Sequence, residues 1–270
     1  MEYIAEIGWN FMGDLSLADE MIGAASKAGA HVAKFQYWNP NKLKKGPWDK
    51  DGRKEIYFKA QLTDEKIAAL HELCGKHGVE FLMSVFNAED AEFVSKVSKE
   101  AIKIPSHEIA NLELIEFCLA KFKKIYISAG ACTVEELDKV AELVNSTRPE
   151  DQNVIVMHCV SSYPCGVERM NLGRIDALRE RFANRLGLSD HSTSTLVPAF
   201  AVIKGVEVIE KHFTTDHDLP GRDNKFAVLP EDFKALVENC EEACKSVIDL
   251  GVAAQDIEMD TMNNYRGRWG

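Results

Sequence analysis

The chain has 270 residues, 46 % of them hydrophobic and 28 % charged, with a formal net charge of −11. These values fit a globular protein of one large domain or two. They exclude nucleic acid as the main partner, because no basic block offers a track for phosphates.

No apolar run is long enough to cross a bilayer, so no membrane partner is expected. The seven cysteines are scattered and contain no Cys-x-x-Cys pair. That pattern fits small buried hydrophobes in a reducing compartment better than a disulfide framework. A strand-like run begins directly after Met1, so no signal peptide is expected and the cytoplasm is the expected location.

Short apolar runs alternate with amphipathic stretches along the chain. Strands are predicted at Tyr3–Ile7, His31–Gln36, Glu80–Met83, Ala101–Ile104, Lys124–Ile127, Asn153–His158, Arg185–Leu188 and Val206–Ile209. Helices are predicted near Ser16–Ala28, Asp64–His77, Asp90–Val97, Leu112–Ala120, Val134–Asn145, Leu172–Arg181, Thr195–Ile203 and Pro230–Leu250. Thr63-Asp-Glu-Lys66, Thr133-Val-Glu-Glu136 and Pro230-Glu-Asp232 each place carboxylates in a first helical turn, where the helix dipole favours them. Gly29, Gly78 and Gly205 fall where a helix must stop before the next strand.

Eight such repeats in one series predict a closed (β/α)8 barrel, an α/β fold in a single domain over residues 1–255. Residues 256–270 read as an extended C-terminal tail. An open doubly wound sheet is the runner-up, but the first loop, Gly8-Trp-Asn-Phe-Met-Gly13, lacks the dinucleotide spacing. The long connection Trp38–Ala60 would lie on the functional rim as a candidate lid.

In such a barrel, polar side chains at the carboxyl ends of strands carry the chemistry. Those positions hold Glu6, Asn10, Lys34, Gln36, Ser84, Lys103, Ser106, Glu108, Ser128, His158, Ser161 and Tyr163. The last two strands add Ser189, Asp190 and His191, then Glu210, Lys211 and His212. His191 and His212 on adjacent strand ends are either half of a divalent-metal site or two unrelated histidines. Lys34 and Lys103 lie inside apolar strands, so their ammonium groups need buried partners. Those partners are either protein carboxylates such as Glu6 or Glu210, or a bound phosphate or carboxylate flanked by the serine hydroxyls.

These motifs, in order along nearly the whole chain, resemble the barrel domain of the N-acetylneuraminate (sialic acid) synthase family. The resemblance rests on Ala5-Glu-Ile-Gly-Trp-Asn10, Lys34-Phe-Gln36, Lys103-Ile-Pro-Ser-His-Glu108 and Ser128-Ala-Gly130. It continues through His158-Cys-Val-Ser-Ser-Tyr-Pro164, Asn171-Leu172, Gly187-Leu-Ser-Asp-His191, Glu210-Lys-His-Phe-Thr214 and Gly221-Arg-Asp223. The family condenses phosphoenolpyruvate with an N-acetylated amino sugar such as N-acetylmannosamine.

The resemblance implies that His191 and His212 ligate a divalent metal, usually manganese (Mn2+). It implies that Lys34, Ser84, Lys103, Ser106, Ser128, Ser161 and Ser189 cradle phosphoenolpyruvate. Gln36, Glu108, Tyr163 and Asp223 would contact the acceptor sugar, with Glu108, Lys103 and Tyr163 as the catalytic set and Glu108 handling a proton.

Several positions depart from the family pattern. The first loop reads Asn10-Phe-Met-Gly13 where relatives have Asn-His-x-Gly, and Ser84 replaces a threonine. Ser128-Ala-Gly-Ala131 stands where Ser-Thr-Gly-Met is usual. Relatives continue into an antifreeze-like domain past the Arg-Gly-Arg stretch. With Phe11 and Met12 in the first loop, the expected acceptor pocket is more open or more apolar. Relatives are homodimers, and a homodimer stays open here. Two other readings also stay open: the same chemistry on a different aldehyde or a sugar phosphate, and a non-catalytic barrel that binds a sugar or a partner protein.

Overall fold

The computed structural model describes residues 1–146 and 153–269. Eight parallel strands close into a barrel in chain order, β1 pairing with both β2 and β8. The strands are β1 (Glu2–Gly8), β2 (Val32–Gln36), β3 (Glu80–Ser84), β4 (Ala101–Ile104), β5 (Lys124–Ala129), β6 (Asn153–Cys159), β7 (Arg185–Asp190) and β8 (Val208–His212). Around them run α1 (Leu15–Lys27), α2 (Arg53–Ala60), α3 (Asp64–Lys76), α4 (Ala88–Val97), α5 (Leu112–Lys121), α6 (Val134–Asn145), α7 (Arg174–Arg181), α8 (Val197–Ile203) and α9 (Pro230–Ser246). The expected barrel is therefore the observed one, a (β/α)8 fold.

Local signals act as their chemistry requires. Thr133 and Glu136 form a reciprocal capping box at the start of α6, with Oγ1 accepting from Glu136 N at 3.2 Å and Oε2 accepting from Thr133 N at 2.8 Å. The helix then buries Val140, Ala141 and Val144 against the barrel. Gly205, with φ of +79°, ends α8 where an L side chain would be strained.

Three elements differ from the expectation. The stretch Trp38–Ala60 is not one irregular loop but contains α2, which the sequence hides because it buries only Tyr57 and Ala60. Strand β8 continues to His212, beyond the expected end at Ile209, and β7 continues to Asp190. Glu210-Lys-His looks like loop by polarity, yet Glu210 and His212 face the barrel axis while Lys211 faces outward, as strand alternation demands. The tail is a correction too. Instead of being extended, it carries a short helix, α10 (Met259–Asn264).

The barrel interior is built in layers. Ile4, Val32, Leu82, Ala101, Tyr126, Ile155, Met157 and Val208 form a closed apolar cluster. Two residues further along several strands, the inward positions become Glu6, Lys34, Ser84, Lys103, Ser128 and Glu210. The change from apolar to charged within one strand period confines the polar layer to the carboxyl-end rim. At the opposite end, Lys124 binds both Glu2 and Glu80 at 3.0 Å. A larger apolar core lies between barrel and helices and includes Ile7, Phe11, Phe35, Ile125 and Phe213. Among the described residues, no helix is long and apolar enough to cross a membrane, and all seven cysteines are free thiols.

Candidate active site

The charged layer opens into a cavity of about 220 Å³. Lys34 Nζ sits 2.9 Å from Glu6 Oε2, 3.4 Å from Glu210 Oε1 and 3.1 Å from Ser84 Oγ. Lys103 Nζ is 2.6 Å from Glu210 Oε2, and Ser189 Oγ donates to Glu210 Oε1 at 2.9 Å. Both lysines are paired with protein carboxylates, one of the two kinds of partner expected for them. Glu210, considered only as a counter-charge in the sequence, is the hub that joins both lysines.

These four groups do not share charge equally. Burial would raise the Glu210 carboxyl, but Lys103 and Lys34 outweigh it and hold it well below the usual carboxylate range. Burial raises Glu6, aided by the Glu210 charge and opposed by Lys34. Burial and the repulsion of Lys34 lower Lys103 despite Glu210. Lys34 is raised because Glu210 and Glu6 overcome its desolvation. Glu6 is thus the carboxyl most ready to hold a proton, and protonating it leaves the cluster positive. Arg222, which the sequence reading did not single out, adds a further cation to the cavity lining.

His191 and His212 stand side by side, ring centroids 5.5 Å apart. The His191 Nδ1 atom donates to the Val160 carbonyl at 2.8 Å, leaving Nε2 free. His212 is buried, and desolvation, His191 and Lys34 keep it neutral. Its Nδ1 has no hydrogen-bond partner and lies 3.9 Å from Asp223 Oδ2. A buried neutral imidazole with an orphaned nitrogen beside a second imidazole fits a two-histidine metal site. Among the described residues, no group of three or more His, Cys, Asp or Glu side chains is arranged to hold a metal.

The remaining expected residues divide. Gln36, Ser106, Ser128, Tyr163 and Asp223 all line the same cavity. The buried Ser106 Oγ has no partner and is available to a ligand. Gln36 Nε2 donates to Glu6 Oε1 at 2.5 Å, and Trp38 Nε1 donates to Gln36 Oε1 at 2.7 Å. Trp9 Nε1 donates to Asp223 Oδ2 at 3.2 Å, and burial raises that carboxyl. The Tyr163 ring covers the histidines, 4.1 Å from His191 and 5.8 Å from His212 by centroid.

Ser161 is exposed on the rim and does not line the cavity. Glu108 lines a neighbouring cavity of about 810 Å³, where its Oε2 accepts from Asn111 Nδ2 at 3.1 Å. Phe11 and Met12 do not shape the pocket as expected. Phe11 turns into the core against Phe35, and Met12 packs on the cluster of Trp9, Tyr57 and Ala60. Apolar lining comes instead from Trp9, Trp38, Tyr57 and Phe86, a wall for which nothing in strand periodicity gave a signal.

Gly221 brings the last loop onto this site. A Cβ there would lie 2.8 Å from the Asn10 backbone oxygen, so only glycine permits the approach that sets Asp223 over His212.

A barrel with lysines, carboxylates and an imidazole pair converging at the carboxyl ends of its strands is an enzyme of the barrel class. Residues 21–250 match the NeuB family model, and the chain belongs to that family. It is 34 % identical over 256 residues to the N,N'-diacetyllegionaminic acid synthase of Legionella pneumophila, covering 89 % of this chain and 71 % of that protein. It is also 34 % identical over 272 residues to the pseudaminic acid synthase of Campylobacter jejuni, covering 97 % of this chain and 78 % of the relative. The crystal structure of the N-acetylneuraminic acid (sialic acid) synthetase of Leptospira borgpetersenii, in complex with citrate, superposes with a TM-score of 0.85. Its identity is 29 %, covering 98 % of this chain and 92 % of the other. The family resemblance expected from the motifs is thus shown, and with it an enzymatic role in carbohydrate biosynthesis.

Proposed function

We propose that the protein condenses phosphoenolpyruvate with the open-chain aldehyde of an N-acylated amino sugar. The products would be a 3-deoxy-2-ulosonic acid of the sialic acid type and inorganic phosphate. The observation that carries this reading is the pairing of two buried lysines with two adjacent imidazoles on one rim. An anion with two charged ends needs the first, and an aldehyde to be polarised needs the second. Relatives named as sialic-acid-type synthases support the same reading.

In this reading Lys34 and Lys103 neutralise the phosphate and carboxylate of phosphoenolpyruvate, with Ser84, Ser106, Ser128 and Ser189 donating hydrogen bonds. Ser161, on the rim, would reach only an atom projecting from the cavity. A divalent ion such as Mn2+, held by His191 and His212, would supply Lewis acidity toward the aldehyde oxygen.

The new C–C bond joins the enol methylene carbon to the aldehyde carbon. Water adds to the phosphate-bearing carbon, and the C–O bond to phosphate then breaks. Glu6, whose carboxyl is raised and lies beside Lys34, is the group placed to give or take the proton these steps exchange. Glu108, in the neighbouring cavity, is placed to hold the far part of the sugar. The Tyr163 ring covers the histidines, and Trp9 holds Asp223 through its indole N–H.

The test is phosphate release from phosphoenolpyruvate with N-acetylmannosamine and Mn2+, run with and without EDTA. Metal-stimulated release is expected. No release with any amino-sugar aldehyde would overturn this reading in favour of the same chemistry on a different aldehyde or a non-catalytic sugar-binding barrel.

A further inference from the structure

Lys34, Lys103 and Arg222 are the lysine and arginine side chains that line the charged cavity. Of these, Arg222 alone makes no hydrogen bond and no ion pair among the described residues. Every carboxylate of the same lining is engaged elsewhere. Glu6 and Glu210 hold the lysines, and Asp223 Oδ2 accepts from Trp9 Nε1 at 3.2 Å. Arg222 is itself exposed, so its guanidinium stands at the cavity mouth.

The backbone beneath that side chain is pinned from both sides. Arg222 opens a short turn, Arg222–Lys225, directly after the close approach of Gly221 to Asn10. Within the turn the buried Asn224 donates from Nδ2 to the Asn10 carbonyl at 3.2 Å, and its Oδ1 accepts from Thr214 Oγ1 at 2.6 Å. Just past the turn, the Phe226 ring packs on His212 and Tyr163, at 5.1 and 5.6 Å by centroid. An unpaired arginine on a loose surface loop is ordinary. One presented over a charged cavity by a fixed turn is placed to meet a ligand.

Charge indicates which ligand. Phosphoenolpyruvate carries about three negative charges, up to two of them on its phosphate. The side chains of the cavity floor cannot match them. Lys34 and Lys103 share Glu210, so even with Glu6 protonated their surplus is a single positive charge. The chain as a whole, with a net charge of −11, repels an approaching anion. Arg222 supplies a positive centre where that anion enters, and its planar fork fits two oxygens of a phosphate or carboxylate at once.

Resting on the synthase reading above, we propose that Arg222 is a third cation of the phosphoenolpyruvate site. It captures the anion at the mouth and stays bonded to its outer end while Lys34 and Lys103 take hold in the floor.

The experiment measures phosphoenolpyruvate binding by calorimetry to the full chain with Mn2+, for the unaltered protein, Arg222→Gln and Arg222→Lys. Each is titrated at ionic strengths of about 0.01 M and about 0.15 M, where charges are felt over about 30 Å and about 8 Å. Arg222→Gln should weaken binding about tenfold and flatten its salt dependence. Arg222→Lys keeps the charge but not the fork, so it should retain the salt dependence and recover part of the affinity. In phosphate-release assays the loss should fall on the KM for phosphoenolpyruvate and not on that for N-acetylmannosamine. The Tm without ligand should be the same in all three proteins, since the guanidinium makes no bond within the chain.

Unchanged phosphoenolpyruvate affinity in Arg222→Gln, or a loss confined to the KM for the sugar, overturns the assignment while the synthase reading stands. An unaltered protein that neither binds phosphoenolpyruvate nor releases phosphate from it overturns the synthase reading, and the assignment with it.

Discussion

Lys103 Nζ lies 2.6 Å from Glu210 Oε2 across the barrel axis, with both side chains almost fully buried. The same carboxylate reaches Lys34 at 3.4 Å through its other oxygen. One anion therefore holds two cations that the proposed chemistry needs for a substrate. An arriving phosphate or carboxylate must compete with Glu210, and Glu6 can take up a proton to tip the balance.

Glu210→Gln keeps the shape and an acceptor for Ser189 but removes that charge. The two lysines are then opposed only by Glu6, so the protein should lose about 3 kcal/mol of stability. Inorganic phosphate should bind the variant better and raise its Tm further than it raises that of the unaltered protein. Thermal melts over a phosphate titration measure both effects. Equal phosphate-induced shifts would show that Glu210 does not guard an anion site.

His212→Ala removes a proposed ligand whose Nδ1 makes no hydrogen bond within the protein. Affinity for Mn2+, followed by calorimetry, should fall by more than about 100-fold. The melting temperature without metal should stay close to that of the unaltered protein. Retention of tight Mn2+ binding would assign the metal elsewhere.

Much of this was legible in the chain because a parallel strand announces itself twice, by apolar content and by the polar residue that ends it. Ser189, His191, Lys34 and Lys103 fall on one rim by their strand positions in the sequence alone. Glu210 could be named as a counter-charge, but its place as the hub between both lysines could not, because nothing in Glu210-Lys-His212 says which side chains face inward until the pairing with β1 is known. Pairing sets Glu6 opposite His212 and shows which residues of the run face inward. Phe11 misled for a related reason. A large apolar residue in a rim loop can face the pocket or the core, and only its edge contact with Phe35 decides. Likewise α2, reading Arg-Lys-Glu-Ile-Tyr-Phe-Lys-Ala, buries two residues and so lacks the apolar stripe by which helices are recognised.

His158 gives a pH dependence with a definite sign. Burial lowers its pKa below the ordinary 6.5, and the nearby Arg174 adds to this, while the hydrogen bond from Nε2 to the Met170 carbonyl and the Asp190 charge oppose it. The folded protein thus keeps the ring neutral, whereas the unfolded chain takes up a proton below pH 6.5. Its contribution is full above that pH and is lost as pH falls toward the depressed folded value. His158→Gln retains a donor for Met170 and removes the titration. The fall in Tm between pH 7 and pH 5 should be shallower in the variant, and parallel profiles would refute the assignment.

Lys211 is the buried lysine that does no chemistry in this scheme, and its geometry explains its presence. It points away from the cavity, where Nζ donates to Asp190 Oδ2 at 2.6 Å, the Ser192 carbonyl at 2.5 Å and the Ser194 carbonyl at 3.0 Å. These contacts hold residues on both sides of His191, so one ammonium fixes the loop carrying a proposed ligand. Lys211→Met leaves Asp190 buried without its counter-charge and should cost about 3–5 kcal/mol in urea unfolding. Adding Asp190→Asn removes the stranded charge, and the double variant should recover part of that loss. If the fixing role is right, Mn2+ affinity will stay weakened in the double variant even where stability returns, since neither substitution restores the bonds to Ser192 and Ser194. Recovery of both together would mean that the pair serves stability alone.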